Sequence, residues 1–466
     1  MSVLRDKSET ARAGAGAAAA LSGVAGLLLL LLMSGCGGGG GGDTTSAGGT
    51  TTGGGTATAG VTNTTGGTTG GGDALGEALL VKVHPGVTVQ AVAQEYGVAV
   101  EDGLPEDNLY RLRADDDEDG DALAARLAAD PRLAAAEDDD GVRSPEASQT
   151  VAGDPIHVPF DFVGRADSRY SAIAVTFSGA GGPGAAAGDP GAPFRQIKLA
   201  AAHAVTRGAG ITVAVLDTGV QADHPVLAAR LLPGFNALAP GAPPADAADG
   251  ARNEAFGHGT MVAGIVARVA PDARILPVRV LNGDGSGSVF DVVRGLRWAV
   301  ANGAQVVNLS FGTPESSGIL REAIGDARDA GVVIVSSAGN AGGDIRDFPA
   351  GYSETVSVAA VGADDRKAPF SNFGSHISLA APGTAITSSF PGGTFASWSG
   401  TSFAAPFVAG VAALVRAANP GADSDKIADA MEETARGVDG ANPGFQGRIG
   451  EGVVDAGRAV TSDRLD

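Results

Sequence analysis

Three residues whose types can combine for nucleophilic catalysis lie in short glycine-containing motifs. They are Asp217 in AVLDTGV, His258 in FGHGTMVAGIVA and Ser402 in SGTSFAAPFVAGVAALV. A serine hydroxyl becomes a nucleophile near neutral pH when an adjacent base takes its proton, and a carboxylate can hold that base in the required tautomer. Each residue alone has a plainer interpretation, since serines and carboxylates often cap helices and a lone histidine is often structural. The three together, in the order Asp, His, Ser, favour a hydrolytic site.

The elements around these residues predict a parallel sheet covered by helices. Runs rich in Val and Ile predict strands at residues 211–216, 275–280, 306–309, 332–335 and 356–361, and helices are predicted at 260–268, 289–301 and 318–330. Strands apolar on both faces that alternate with helices are typical of a doubly wound α/β domain, whose sites lie beyond the carboxyl ends of strands. Asp217 ends the first of these strands. The apolar stretch after Ser402 predicts a buried helix with Pro406 in its first turn, and Thr260 is suited to capping the helix at His258.

The sequence around all three residues resembles the subtilisin-like (subtilase) family of serine endopeptidases. DTGV, GHGTMVAG and GTSFAAP match the family's motifs in their order, and the resemblance runs from about residue 195 to residue 460, where GEGVVDAGRAV resembles the closing segment. It implies that Asp217, His258 and Ser402 form the catalytic triad. It also implies that Asn340, in VSSAGNAGG, stabilises an oxyanion together with the Ser402 backbone N–H. Two segments resemble the strands that hold a substrate backbone: Gly285, Ser286 and Gly287, and Ser310, Phe311 and Gly312.

This resemblance implies protein or peptide substrates held mainly through their backbone, and hence an endopeptidase tolerant of sequence. The presumed pocket walls, residues 310–312 and 336–338, carry no charge. We therefore expect a preference for apolar or uncharged residues before the scissile bond.

No cofactor is expected to be required. The family's strong calcium site is predicted to be absent, because Arg268 runs almost directly into PDARILPVRV and Asp223-His224-Pro225 is followed by Val226 rather than an acid. Weaker calcium sites are left open. Met261 stands where the family commonly has a second histidine, and it is expected to pack in the core.

The N-terminus predicts export. Basic residues up to Arg12 precede an apolar stretch over residues 15–33, which ends at Met33-Ser34-Gly35-Cys36. This segment, residues 1–36, resembles a bacterial lipoprotein signal, which implies a lipid on Cys36, the only cysteine of the chain. A plain signal peptide or an uncleaved anchor is the alternative. The expected location is the bacterial cell envelope, with release into the medium if maturation cuts the chain beyond the anchor.

Three further segments precede the catalytic domain, which is predicted at residues 195–466. Residues 37–73 are almost wholly Gly, Thr, Ser and Ala and predict a flexible linker with an end-to-end distance of roughly 35 Å. Residues 74–140 predict a small β-α-β-α unit of ferredoxin-like type, one strand short, which resembles the prodomain that acts as folding aid and inhibitor in the family. Residues 141–194 are predicted to be a connector with one hairpin.

The charge of the chain limits its partners. The formal net charge is −21, with acidic runs at residues 115–119 and 137–140. Such a chain has little electrostatic reason to bind nucleic acid, and the acidic runs are predicted to be solvated loops. The expected partners are protein or peptide substrates, the chain's own prodomain-like unit, and a membrane reached through the lipid anchor of the precursor.

Three other functions account for the sequence less well than a serine endopeptidase does. An aspartic protease built on Asp217 would need a second Asp-Thr/Ser-Gly or a half-size dimeric chain, and it leaves His258 and Ser402 unexplained. A catalytically inactive binding module would have no use for an intact triad with Asn340. A processing convertase would need acids in the pocket walls, and residues 310–312 and 336–340 supply none.

Overall fold

The computed structural model of the protein describes residues 78–114, 120–146 and 189–465. Its N-terminal part is an antiparallel sheet with two helices. In chain order the elements are β1 (Ala78–Val83), α1 (Val89–Tyr96), β2 (Ala99–Leu104), a 3-10 turn (Pro105–Asp107), β3 (Leu109–Arg113), α2 (Gly120–Ala128) and β4 (Leu133–Asp138). The four strands pair in the order β2-β3-β1-β4. This arrangement is a complete ferredoxin-like βαββαβ unit.

The expectation of a unit one strand short was therefore wrong. Strand β2 has the sequence AVEDGL and strand β4 the sequence LAAAED, so acids and small residues replace the alternating apolar pattern on which strand prediction depends. Pairing with β3 and β1 fixes these two segments as strands. The predicted signal and linker, Cys36, the acidic run 115–119 and the predicted hairpin of the connector lie outside the described residues.

The predicted connector begins with a strand that the sequence analysis had not predicted. Strand β5 (Gly141–Arg143) pairs antiparallel with β9 (Ser286–Ser288) of the C-terminal part. Its sequence, GVR, is too short to be predicted as a strand. The backbone of the facing segment gives it a partner.

The C-terminal part alternates strands and helices along the chain. In order they are α3 (Ala192–Gln196), α4 (Leu199–His203), β6 (Thr212–Asp217), β7 (Phe235–Asn236), α5 (His258–Val269), β8 (Arg274–Arg279), β9, α6 (Val289–Ala301), β10 (Val306–Leu309), α7 (Gly318–Asp329), β11 (Val333–Ser337), β12 (Val356–Val361), β13 (Leu379–Pro382), β14 (Ile386–Phe390), β15 (Thr394–Trp398), α8 (Thr401–Ala418), α9 (Ser424–Glu433) and α10 (Ala456–Ala459), with 3-10 turns at Asp439–Ala441 and Asp463–Leu465. All five predicted strands and all four predicted helices are present, with ends shifted by a few residues.

Seven of these strands form one parallel sheet in the order β13-β12-β11-β10-β6-β8-β7. Alternate residues of β6 belong to different cores: Val213 and Val215 pack with α5 and α8, whereas Ala214 and Leu216 pack with α6 and α7. The predicted doubly wound α/β fold is confirmed. The direction of strand addition reverses between β6 and β10, which is the switch point where such folds place their sites.

Helix α8 lies at the centre of the larger core. Within the described residues it is the one helix long and apolar enough to pass a test for membrane spans, and 89% of that window is buried inside the protein. Pro406 was predicted to lie in the first turn of this helix. The helix begins at Thr401, so Pro406 instead lies in its second turn. Helix α5 packs so closely against α8 at Gly410 that only a small residue fits there.

A pair of glycine substitutions tests this close packing. A Cβ on Gly410 of α8 would lie 2.5 Å from Val269 Cβ, whereas a Cβ on Gly325 of α7 would meet nothing within 4 Å. We expect Gly410→Ala to lower the free energy of unfolding by about 1–3 kcal/mol through overpacking. Gly325→Ala should raise it by about 0.5–1 kcal/mol, because alanine loses less entropy in a helix. Denaturant unfolding of both variants measures this, and equal effects would contradict the packing argument.

Candidate active site

The predicted site residues meet at the carboxyl ends of the central strands. Asp217 is the last residue of β6, His258 the first of α5, and Ser402 the second of α8. Asn340 follows β11. The fold therefore brings together four residues that are far apart in sequence.

Asp217 and His258 make a short, buried contact. The Nδ1 atom of His258 lies 2.7 Å from Asp217 Oδ1, and neither side chain is exposed to solvent. Asp217 Oδ1 also accepts a hydrogen bond of 2.7 Å from the Thr218 backbone N–H. A carboxylate in this position fixes the histidine tautomer with the proton on Nδ1 and leaves Nε2 available to act as a base.

The start of α5 is held in place by a carboxylate that the sequence analysis did not single out. Asp246 accepts hydrogen bonds from the backbone N–H groups of Gly257 and Thr260 and from the hydroxyls of Thr260 and Thr218. The prediction that Thr260 caps this helix was wrong, because its hydroxyl donates to Asp246 and accepts from the Gln221 N–H. Asp246 thus satisfies N–H groups at the helix terminus that carries His258.

Two motif glycines allow this strand end and helix start to touch. A Cβ on Gly259 would lie 2.2 Å from the Gly219 carbonyl oxygen. A Cβ on Gly219, whose φ is +103°, would lie 2.6 Å from the Ala245 backbone. Gly259 of GHGT is therefore required by its contact with the DTGV motif, and Gly219 of DTGV is required by its positive φ and its contact with the Ala245 backbone.

Ser402 is held by contacts with the end of β10. Its Oγ lies 3.1 Å from the Ser310 carbonyl oxygen, and its own carbonyl accepts a 2.8 Å hydrogen bond from Ser310 Oγ. In a regular helix the Ser402 carbonyl would accept from the N–H four residues later, but that residue is Pro406, which has none. The Ser310 hydroxyl supplies the missing donor, and Asn308 Nδ2 donates in turn to Ser310 Oγ at 2.8 Å.

Asn340 is oriented towards the same point. Its Oδ1 accepts hydrogen bonds of 2.9 Å from both the N–H and the hydroxyl of Thr401. These bonds leave its Nδ2 directed into the site, where it donates to a carboxylate described next.

The side chain of Glu146 occupies the centre of the site. Its Oε2 lies 2.8 Å from Ser402 Oγ and 3.1 Å from His258 Nε2, and its Oε1 accepts a 3.0 Å hydrogen bond from Asn340 Nδ2. Glu146 could not be predicted as a site residue, since it lies in the predicted connector without a motif. One carboxylate therefore contacts the candidate nucleophile, base and oxyanion donor at once.

These carboxylates change the titration of His258. Burial alone lowers its pKa, but the charges and hydrogen bonds of Asp217 and Glu146 outweigh burial and raise the pKa to about 10. His258 is thus an imidazolium while Glu146 is bound. In that state it cannot accept a proton from Ser402.

Residues 141–144 run through a groove between the two segments predicted to hold a substrate. Arg143 and Gly312 exchange both backbone hydrogen bonds, at 2.9 and 2.8 Å, and the Ser144 N–H donates to the Gly285 carbonyl at 2.8 Å. Val142 is fully buried opposite Gly287. The remaining predicted groove residues, Ser286, Ser310 and Phe311, lie in the same two segments. The groove therefore holds an extended segment by main-chain bonds.

The acidic run at residues 137–140 is part of this interface, so the prediction of a solvated loop was wrong for it. Glu137 accepts hydrogen bonds at the start of α7, from the Ser317 hydroxyl and from the Gly318 N–H at 3.0 Å. The side chain of Asp139 is fully buried; it pairs with Arg111 at 2.9 Å and accepts a hydrogen bond from the Phe290 N–H of α6. Carboxylates at helix N-termini satisfy free N–H groups and interact favourably with the helix dipole.

Among residues 78–114, 120–146 and 189–465, no group of three or more His, Cys, Asp or Glu could hold a metal ion. The expectations about calcium stay predictions.

The fold and the arrangement of Asp217, His258 and Ser402 define the class of subtilisin-like α/β proteins. The chain belongs to the subtilase family, whose sequence model matches residues 208–452. It is 39% identical to the M-protease of Shouchella clausii (strain KSM-K16) over 262 residues, which are 54% of this chain and 65% of that relative. It is 38% identical to Subtilisin Savinase of Lederbergia lenta, covering 54% of this chain and 91% of that protein. The chain thus spans about two thirds of the first relative.

The structure is also similar to that of fervidolysin from Fervidobacterium pennivorans, a keratinolytic enzyme related to subtilisin. The TM-score is 0.65 at 26% identity, and the match covers 83% of this chain and 61% of fervidolysin. The match with fervidolysin therefore covers more of this chain than the family model, which matches residues 208–452.

The contact between Ser310 and Ser402 can be tested with two buried serines at the carboxyl ends of neighbouring strands. Ser310→Ala removes the donor to a carbonyl that Pro406 cannot satisfy, and we expect a loss of about 1–3 kcal/mol in the free energy of unfolding. Ser336 is equally buried, but its hydroxyl has no hydrogen-bond partner. Ser336→Ala should therefore be close to neutral. Thermal and denaturant unfolding compare the two, and equal losses would contradict the proposed pairing.

Proposed function

We propose that this chain is a serine endopeptidase made as a precursor, in which its N-terminal unit blocks the active site. Asp217, His258 and Ser402 are the proposed triad, and Asn340 with the Ser402 N–H is the proposed oxyanion hole. The observation that carries the proposal is the convergence of these residues at one point, beside a groove that already holds an extended peptide segment.

In the proposed reaction the substrate replaces residues 141–146. Its backbone pairs with the segments at Gly285 and Gly312, and Ser402 Oγ attacks the carbonyl carbon as neutral His258 takes the proton. The charge that develops on the carbonyl oxygen is stabilised by Asn340, a contribution worth roughly 10²–10³ in turnover when such a donor is removed. His258 then returns the proton to the leaving amine, and water hydrolyses the acyl-enzyme.

Backbone recognition supports broad sequence tolerance. The neutral pocket walls favour apolar contacts with the residue before the scissile bond, as expected from the sequence. Cofactors are not part of this mechanism.

The proposed inhibitor is the chain's own residues 78–146. Main-chain pairing at β5, the carboxylates at the starts of α6 and α7, and the Glu146 contacts all support docking over the site. Occupation by Glu146 keeps His258 protonated and covers the oxyanion donor, so the docked form is inactive. The proposed prodomain-like unit (residues 74–140) and catalytic domain (residues 195–466) have the bounds predicted from the sequence. The inhibitory segment also includes the first residues of the connector, up to Glu146.

Export by a lipoprotein-type signal and anchoring through Cys36 complete the proposal. The anchor lies N-terminal to the inhibitory unit, so a cut in the connector would separate the catalytic domain from the membrane. Maturation would then also be release. The alternative is a tethered enzyme whose connector stays intact.

A Ser402→Ala substitution tests both the triad and release. We expect folding to be retained, while proteolysis and self-processing fall by several orders of magnitude, because triad residues act as a unit. Fractionated cells should contain a soluble catalytic fragment for the wild type and only membrane-bound, full-length chain for Ser402→Ala. Activity within about tenfold of wild type would refute the triad. Full-length, membrane-bound protein in both cases would refute release.

Replacing Glu146 tests the inhibitory contact. The pKa of His258 is raised to about 10 by its carboxylate partners, so the ion pair with Glu146 exists below that pH and is lost as the pH rises through it. Self-processing of the wild type should therefore accelerate between pH 8 and about pH 10. Glu146→Gln should process about tenfold faster at neutral pH and show a weaker alkaline acceleration, since a hydrogen bond to a charged group is lost.

The rate at which full-length chain disappears measures this, with Glu106→Gln as the matched control. Glu106 is an exposed acid of the same N-terminal unit, in the 3-10 turn between β2 and β3. Identical rates and pH profiles for the two variants would show that Glu146 does not hold the precursor closed.

A further inference from the structure

In the proposed reaction the side chain of the residue before the scissile bond lies beside Ser402, in the space between the two predicted pocket walls. Two segments border this space. One is Ser310–Gly312, whose Ser310 carbonyl lies 3.1 Å from Ser402 Oγ. The other contains Gly339, whose N–H donates to the Thr401 hydroxyl at 3.1 Å. Both walls are thus tied to the start of α8.

Asp347 lies against both walls. A Cβ on Gly339 would lie 2.1 Å from Asp347 Oδ2, and a Cβ on Gly312 would lie 3.4 Å from Asp347 Cβ. Because both wall residues are glycines, no side chain separates the pocket from the Asp347 carboxylate. Thr313 and Phe348 exchange two backbone hydrogen bonds of 2.8 Å, which fixes Asp347 beside Gly312.

The carboxylate is held by an amide and faces no cation of its own. Asn372 Nδ2 donates to Asp347 Oδ2 at 3.1 Å and to the Ala338 carbonyl at 3.0 Å, which joins the carboxylate to the second wall. Among the ion pairs formed by the described residues, none includes Asp347. Burial raises the pKa of Asp347, opposed only by the hydrogen bond from Asn372. A half-buried carboxylate without a counter-ion beside a binding site can pair with a cationic group of a ligand.

We propose that Asp347 is a specificity-determining residue that selects Lys or Arg immediately before the scissile bond. This inference rests on the proposed endopeptidase function. The long side chains of Lys and Arg have apolar stems with a charged head. Their stems contact the neutral walls, and their heads reach the carboxylate. The walls alone accept apolar residues, so Asp347 adds a preference for basic residues to the apolar tolerance expected from the sequence.

Asp347 lies outside the two wall segments, so its role could not be predicted from them. Asp347 follows neither strand directly. It is brought to the pocket by the pairing of Thr313 with Phe348, a contact between segments more than thirty residues apart in the printed sequence.

The test uses the full-length chain after it has processed itself. Peptide substrates that differ only in the residue before the scissile bond (Lys, Arg, Leu, Phe or Glu) are compared for wild type, Asp347→Asn and Asp344→Asn. Asp344 is an exposed acid of the same loop, paired with Arg448 at the surface, so the control removes the same charge. Fluorophosphonate labelling of Ser402 counts active enzyme, which separates loss of specificity from loss of folding.

We expect kcat/KM for the Lys and Arg substrates to fall by roughly 10- to 100-fold in Asp347→Asn, the effect of a lost charged hydrogen bond, with the Leu and Phe substrates nearly unchanged. Benzamidine, a small cation, should inhibit wild type and Asp344→Asn more strongly than Asp347→Asn. A ratio of basic to apolar kcat/KM that stays within about twofold in labelled Asp347→Asn would overturn this inference, since the expected loss is far larger, and leave the endopeptidase intact. Failure of the wild type to label or to cleave any substrate would overturn the proposed function instead.

Discussion

The structure depends on the buried contact between the Asp217 carboxylate and the His258 imidazole. A charge in this position is costly unless it is paired and hydrogen-bonded, so the strand that ends in Asp217 and the helix that begins with His258 must meet within hydrogen-bond distance. Gly219 and Gly259 permit that approach, and Asp246 fixes the helix start. The parallel sheet supplies the rest, because its neighbouring strands end on the same edge and deliver Ser310 and Asn340 to the same place.

A second constraint positions Ser402 at the start of helix α8. Helix α8 is interrupted early by Pro406, and the carbonyl that loses its helical donor is that of Ser402. Ser310 takes over the bond and thereby couples the strand β10 to the candidate nucleophile. A local defect in one helix becomes a tertiary contact that positions a side chain.

Much of the fold could be predicted because its strands and helices carry strong local patterns. Strand β12 and helix α6 begin and end where the apolar residues do. The strands β2 and β4 could not be predicted, since their acids conceal a pattern that only pairing with neighbours completes. The acidic run at 137–140 was misinterpreted for a related reason: its partners are N–H groups of helices more than a hundred residues later in the chain.

The motif residues of the site were predictable, whereas Glu146, Asp246 and Asp347 were not. Each motif residue lies at the end of an element and is marked by neighbouring glycines or small residues. The three acids have no local mark. Their positions follow from the pairing of β5 with β9, the start of α5 and the bridge between Thr313 and Phe348.

The main-chain pairing of β5 with β9 has a consequence for how the groove responds to dilution. The docked strand and the groove belong to one chain, so in the proposed precursor the strand competes with substrate at an effective concentration that is independent of the protein concentration. Once the peptide bond between them is broken, the same contacts form between two molecules, and their occupancy falls as the solution is diluted. In the proposed precursor, a single cleavage would therefore convert a block that is independent of protein concentration into one that weakens as the fragments move apart.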